Sequence, residues 1–197
     1  MKPVTLDWAG VSDAEAALVS RCLSGDELAC TELVEDHQRM VYQLAFHLLG
    51  DKEEALDLSQ DVFLTVFRML DRFRGQSALR TWIYRIVVNQ ARNRQRWWRR
   101  RFQSAQVPLD VHVSEHGELA SPRDDCAPER LLRQKEQADR VWHALRDLPF
   151  DQRTALVLRE IDGLSYEEIG YSLNVAVGTV KSRLARARQL LRAELQR

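Results

Sequence analysis

Apolar residues recur at intervals of three and four along almost the whole chain, and nowhere do they alternate with polar ones over a run of Val, Ile and Thr. That spacing lays one apolar stripe along a helix and leaves a strand no consistent buried face, so it commits the chain to an all-α fold. The pattern lapses once. Between Phe102 and Pro128 the sequence turns to Ser, Pro, Asp, His and Gly, with Pro108, Pro122 and Pro128 and no period. Such a segment predicts a linker. The expected organisation is two small helical domains, 1–102 and 132–197, joined by a flexible linker over 103–131, with a helix-turn-helix in the second.

Start and stop signals divide the helices further. Ser12-Asp-Ala-Glu15 has the form of a capping box and opens a helix with Leu18, Val19 and Cys22 that stops near Gly25. A second helix runs from about Glu27 to Gly50, with Leu33, His37, Met40, Val41, Leu44 and Leu48 on one stripe. His37 has no second ligand beside it and is assigned no chemistry. Asp51-Lys-Glu-Glu54 is another capping box, opening a helix to about Arg72, and Ser77 is placed to cap a fourth. In the second half, helical spacing returns from about Glu129 to Leu148, then from Asp151 to Ile161.

The 197 residues carry 29 Lys and Arg against 29 Asp and Glu, but this balance is a cancellation. Residues 1–75 have a net charge of minus 7, and residues 76–103 hold eight arginines and no acid. Residues 104–136 and 137–178 are each minus 3, and residues 179–197 are plus 5. Two basic blocks in an acidic chain suit a polyanion that touches both, with the acidic segments left for a protein partner or for self-inhibition; two solvated helix faces are the alternative. No stretch approaches the ~18 apolar residues of a membrane span, and the N-terminus lacks a secretory signal, so the cytoplasm is the expected location and no membrane insertion is expected. Cys22, Cys30 and Cys126 form no C-x-x-C pair and are expected to be ordinary thiols. His112 and His116 stand four apart without helical context, which is weak support for a metal. No cofactor and no metal is expected, and no nucleophile or carboxylate pair suggests an enzyme.

Ser165-Tyr-Glu-Glu168 opens a short helix, Asn174 to Gly178 form a turn, and a last helix starts at Thr179. Val180, Leu184, Ala187 and Leu191 share one stripe, and Ser182, Ala185, Arg186 and Gln189 lie opposite, flanked by Lys181, Arg183 and Arg188. Short polar and Arg side chains on an exposed face are what major-groove reading needs. Arg186 and Lys181 could reach guanine edges and Ser182 a base or phosphate, with Arg183 and Arg188 placed for phosphates. A hairpin with a merely solvated basic face is the alternative.

In the fourth helix Leu79, Trp82, Ile83 and Ile86 make a buried stripe, while Arg85, Asn89, Arg92, Arg96 and Arg99 form one cationic face. At ~1.5 Å per residue this helix spans roughly 37 Å, about one turn of DNA. Tyr84 and Trp98 are candidates for base or backbone contact, and Trp82 is assigned to the core. The third helix has Ala55, Leu58, Val62, Val66 and Met69 on one stripe with Leu56, Phe63, Phe67 and Leu70 beside it, a buried arc of nearly half its circumference. Its other face shows Asp57, Asp61, Leu64 and Arg68. Leu64 is either an ordinary exposed leucine or an anchor for a partner protein.

These pieces together resemble the extracytoplasmic-function sigma factors, small two-domain initiation subunits of bacterial RNA polymerase. The likeness rests on Asp57-Leu-Ser-Gln-Asp-Val-Phe63, Phe73-Arg-Gly-Gln-Ser-Ala-Leu-Arg-Thr-Trp-Ile-Tyr-Arg-Ile86, Asn89-Gln-Ala-Arg92, Leu164-Ser-Tyr-Glu-Glu-Ile-Gly170 and Val177-Gly-Thr-Val-Lys-Ser-Arg183. It covers nearly all of Ser12 to Leu195 apart from the linker. The resemblance implies that the first domain docks on a coiled coil of the largest polymerase subunit through Asp57, Gln60, Asp61 and Leu64. It implies that the −10 element is read, with a flipped non-template base, by Arg74, Gln76 and Ser77 of the preceding loop and by Arg85, Asn89, Arg92 and Arg96 of the fourth helix. Gln76 stands where many relatives carry an acid. The C-terminal hairpin is implied to read the −35 duplex through Lys181, Ser182 and Arg186, and an anti-sigma protein is the implied inhibitor. The competing expectation is a stand-alone helix-turn-helix regulator that binds DNA as a homodimer.

Overall fold

The structure is a computed structural model and describes residues 12–103 and 128–196. The described chain is all-α. Its helices are α1 (Asp13–Leu23), α2 (Glu27–Leu49), α3 (Lys52–Met69), α4 (Leu79–Gln103), α5 (Pro128–Asp147), α6 (Phe150–Glu160), α7 (Tyr166–Leu173) and α8 (Val177–Leu195), with a 3-10 turn at Leu70–Arg72 after α3. Helix α5 starts with Pro128 at its first position, where the missing N–H costs nothing. Residues 128–131, expected in the linker, are therefore helical. His112, His116 and Cys126 lie outside the described residues.

In the first half α2, α3 and α4 pack against one another, and α1 lies on α2. Leu33, Leu44 and Leu48 of α2, Leu58, Val62 and Val66 of α3, and Leu79, Ile83 and Val87 of α4 are all essentially excluded from solvent. Phe73, entering α4, meets Trp82 with ring centres 5.4 Å apart, so Trp82 is a core residue as expected. In the second half α5, α6 and α7 surround α8, burying Leu156, Leu158, Ile169, Leu173, Val180 and Leu184.

The caps explain where helices begin. Ser12 and Ser165 both complete reciprocal capping boxes, with Glu15 and Glu168. Asp51 accepts the Glu54 N–H at 2.9 Å, but the return arm is diverted, because the Glu54 carboxylate takes Arg94 at 2.7 Å. Ser77 does not cap α4: its hydroxyl donates to the Ala78 carbonyl at 3.3 Å. Cys22 and Cys30 are free, and burial first, then the neighbouring Cys30, pushes the Cys22 thiol up to about 11, which keeps it protonated and unreactive at neutral pH. No helix among the described residues is long and apolar enough to cross a membrane.

The two halves are not separate. Helix α7 packs on α4 and α6 on α2, and the buried apolar residues of both halves form one continuous cluster. At this seam Tyr84 is completely buried, donating to Asp162 Oδ1 at 3.0 Å and accepting from Arg80 at 2.8 Å. Tyr84, considered above as a base contact, is therefore an inter-helix tie. His47 stacks on Trp142 at 4.5 Å, and Arg146 donates to the carbonyl of Gly50, the left-handed residue that ends α2.

Two titrations at this seam oppose each other. Burial lowers His47 from 6.5 to about 4, so its contribution to stability is complete above about pH 6.5 and lost as pH falls toward 4. Burial raises Asp162 from 3.8 to about 6, so its contribution is complete below about pH 3.8 and lost as pH rises through 6. Replacing Asp162 by Asn keeps an acceptor for Tyr84 and removes the second titration. The variant should match the wild type near pH 4 and exceed it by on the order of 1 to 3 kcal/mol at pH 7. Urea unfolding at the two pH values measures this difference; a variant less stable at pH 7 would show that the carboxylate charge is favourable there.

Candidate nucleic-acid and partner interfaces

The C-terminal hairpin is built on a tight approach of α7 to the turn behind it. Asn174 ends α7 in the left-handed conformation with φ 54°, and the Val175 N–H returns to the Gly170 carbonyl at 2.9 Å. A Cβ on Gly170 would stand 2.9 Å from the Val175 carbonyl oxygen, so the small residue is required by the turn. With Val180, Leu184 and Ala187 buried, the opposite face of α8 is fixed outward, and Lys181, Ser182 and Arg186 are exposed on it. Lys181 reaches over the Tyr166 ring at 5.9 Å, and the Ser182 hydroxyl donates to Thr179 at 2.9 Å. Arg183 and Arg188 are engaged within the chain: Arg183 pairs with Asp151 at 2.9 Å and Arg188 with Glu160 at 2.6 Å.

The second surface is the start of α4 and the loop before it. Arg74, Gln76, Trp82, Arg85 and Asn89 line a cavity of about 410 Å³ between α3 and α4. Arg74, Gln76 and Asn89 are exposed, Ser77 is half-buried, and Arg96 is exposed further along the helix. Of the residues expected to read a single strand, Arg74, Gln76, Arg85 and Asn89 meet at this cavity, Arg92 and Arg96 join Arg85 and Asn89 at a neighbouring one, and Ser77 lines neither. Arg92 turns instead to Asp151, pairing at 2.9 Å. Trp98 is half-buried and meets Trp97 edge to face at 5.9 Å, while Trp97 is 46% exposed.

The third surface is the outer face of α3. Asp57, Gln60 and Leu64 are exposed, and Leu64 retains 61% of its accessible area. Leu56 and Phe67, expected to widen the buried stripe, stand at 53% and 37% instead. The reason is that α3 is covered by α2 and α4 along the Ala55–Leu58–Val62–Val66 stripe, leaving this flank without a neighbour. Asp61 is held in place by Arg94 at 2.9 Å, which also grips Glu54. Leu64, Arg68, Trp97 and Arg100 then border a shallow cavity of about 510 Å³ beside it.

Two functional candidates escaped the sequence reading. Asp151 reads as an ordinary acid in the first turn of α6, and Tyr171 as a ring on the flank of α7. Only the fold brings Tyr171 to the 410 Å³ cavity, with Arg85 over its ring at 5.3 Å.

Comparison with known proteins finds two matched regions in the chain. The family description Sigma-70 region 2 matches residues 33–101, and Sigma-70, region 4 matches residues 138–191. The RNA polymerase sigma-H factor of Pseudomonas aeruginosa is 38% identical over 184 residues, covering 93% of this chain and 95% of that protein. The ECF RNA polymerase sigma-E factor of Escherichia coli K12 is 38% identical over 183 residues, covering 92% and 94%. Among solved structures, the sigma factor RpoE of Bartonella quintana in complex with the anti-sigma factor NepR is similar with a TM-score of 0.68 at 26% identity, over 84% of this chain and 96% of that one. CnrH in complex with the cytosolic domain of CnrY is similar with a TM-score of 0.66 at 26% identity, over 93% and 98%.

Proposed function

Since the chain belongs to the extracytoplasmic-function family of RNA polymerase sigma factors, it is an alternative sigma factor that directs promoter-specific transcription, and we propose how its residues divide that work. Residues 1–102 dock on core polymerase and read the −10 element, 132–197 read the −35 element, and the segment between them, up to the start of α5, links the two. The presence of both matched regions in one chain, together with the outward basic face of α8, carries this reading over a stand-alone regulator. In this reading the chain has no catalytic role of its own and works in the cytoplasm, where polymerase and promoter are. Its partners are core polymerase, promoter DNA and an anti-sigma protein, the last supported by the complexes in which its structural relatives were solved.

Lys181, Ser182 and Arg186 take the base edges of the −35 duplex, supported by their exposure on the face opposite the buried stripe. Arg183 and Arg188 take phosphates, for which each must leave its carboxylate partner. Arg74, Gln76, Arg85 and Asn89, which line the 410 Å³ cavity, form the −10 base pocket, with Ser77 in the loop that leads to it and Arg92 and Arg96 beside it for the backbone. Asp57, Gln60, Asp61 and Leu64 meet the coiled coil of the largest polymerase subunit.

Replacing Arg186 by Ala should reduce discrimination at one −35 position by about 1 to 3 kcal/mol while leaving affinity for unrelated duplex nearly unchanged. Promoter selection from a randomised −35 library reads this out; an unaltered preference would remove Arg186 from base contact. Asn89→Ala in the holoenzyme should slow strand opening by roughly ten-fold or more with little change in initial duplex binding, since an unstacked base costs a few kcal/mol that the pocket must offset. Permanganate footprinting against gel-shift affinity separates the two steps; equal losses in both would make Asn89 a general backbone contact.

A further inference from the structure

Beside the base pocket a second cavity, of about 590 Å³, is lined by Arg85, Arg92, Arg96 and Arg99 of α4 and, from the other half, by Asp151 at the start of α6 and Arg183 of α8. Five guanidinium groups thus share one carboxylate. Asp151 is already divided, with one oxygen taking Arg92 and the other Arg183, both at 2.9 Å. Arg96 and Arg99 are exposed and form no ion pair among the described residues. The excess of positive charge continues inward. Arg153 of α6 is buried, and burial first, then Arg146 and Arg99, bring its guanidinium down to about 10. Its Nε and the Nη1 of Arg183 are buried donors without a hydrogen-bond partner among the described residues. Crowded like charges and unmet buried donors both cost free energy, and an anion in the cavity relieves the first and can satisfy the Arg183 donor.

We propose that this cavity is a binding site for a small oligophosphate, the linked phosphates of a nucleotide or of an inorganic chain, held between Arg96 and Arg99 on one side and Arg183 on the other. Guanidinium is the side-chain group best matched to phosphate, because its planar fork of donors keeps its charge at any cellular pH and meets phosphate oxygens in pairs. The arrangement selects for more than one phosphate. A single phosphate carries at most about two negative charges, half of the excess of four that the five arginines leave over Asp151. It is also too short: Arg92 and Arg99 stand about 10 Å apart along the axis of α4, a distance that a row of linked phosphates follows and one phosphate does not. The volume lies within the ~300 to 1,000 Å³ of small-molecule sites, and walls from both halves leave no room for a folded partner. A bound oligophosphate takes Arg183 and Arg92 from Asp151 and holds the arginines that promoter phosphates otherwise use. Its concentration then sets how many of them are free.

Isothermal titration calorimetry of the full chain tests the site, with inorganic triphosphate, orthophosphate and ATP as probes. EDTA removes divalent cations, and an ionic strength of about 0.1 M screens loose surface attraction. The chain is expected to take up one equivalent of triphosphate at least about ten-fold more tightly than orthophosphate. Arg99→Ala and Arg183→Ala should each weaken triphosphate at least about ten-fold, whereas Arg39→Ala, which removes the same charge from an exposed position on α2, should change it less than about two-fold. Circular dichroism confirms that each variant keeps its helicity. ATP bound within a few-fold of triphosphate assigns the site to a nucleotide, and ATP bound at least about ten-fold more weakly assigns it to an inorganic chain. Triphosphate that binds no better than orthophosphate, or that weakens equally with Arg39→Ala, overturns the proposal in favour of general charge attraction. Loss with Arg99→Ala but not with Arg183→Ala places the anion on α4 alone and overturns the shared site. The titration contains no DNA, so its outcome is independent of the −10 assignment of α4.

Discussion

Leu64→Glu should abolish binding to core polymerase without unfolding the chain. Leu64 keeps 61% of its surface exposed, so its removal opens no cavity, and the stripe that holds α3 in the bundle, Ala55, Leu58, Val62 and Val66, lies on the other side. An exposed leucine on the same helix as exposed Leu56 and Phe67, at 53% and 37%, supplies an apolar centre for a contact with Asp57, Asp61 and Arg68 as its charged groups. Truncating such an anchor costs about 2 to 4 kcal/mol, and burying an unpaired carboxylate in its place adds to that, for a loss of at least about 100-fold in affinity. Competition with the wild-type chain for purified core polymerase measures it, with thermal unfolding as the control for folding. Binding within a few-fold of wild type would move the docking surface off α3.

Gly170→Val should have its effect at the opposite end, on the duplex-reading hairpin. The new Cβ meets a backbone oxygen, Val175 O, at 2.9 Å, and two valine side chains, Val177 and Val180, stand at 3.9 Å behind it. No flexible side chain is available to yield, so the turn must move and carry the start of α8 with it. Overpacking of this kind costs about 3 kcal/mol in a tight site. The expected result is a C-terminal half that unfolds at a lower temperature and a chain that loses −35 selection while still binding core polymerase, because the α3 face is untouched. Wild-type promoter selection by this variant would show that the turn adapts.

Much of this arrangement was legible in the sequence for a local reason. Capping boxes at Ser12 and Ser165 and the left-handed ends at Gly50 and Asn174 depend on residues within one turn of each other, so their side chains announce the helix boundaries. The outward face of α8 followed from period alone, since Val180, Leu184 and Ala187 leave only one side for Lys181, Ser182 and Arg186. Where a cap depended on a distant competitor the reading failed: Glu54 leaves its own helix start for Arg94, forty residues on. The same holds for Leu56 and Phe67, whose exposure is decided by which helices lie beside α3. The closure of the two halves was invisible in principle. Tyr84 and Asp162 are 78 positions apart, and Arg92 and Arg183 read as free cations until the fold sets Asp151 between them.

The most direct test of the chain's role is transcription of fragmented host DNA by purified bacterial core polymerase with and without it, mapping the RNA 5′ ends. New start sites that share upstream elements near −35 and −10, and that disappear with Leu64→Glu, are the predicted result. No new start sites, with the mobility of core polymerase unchanged by the chain, would contradict it.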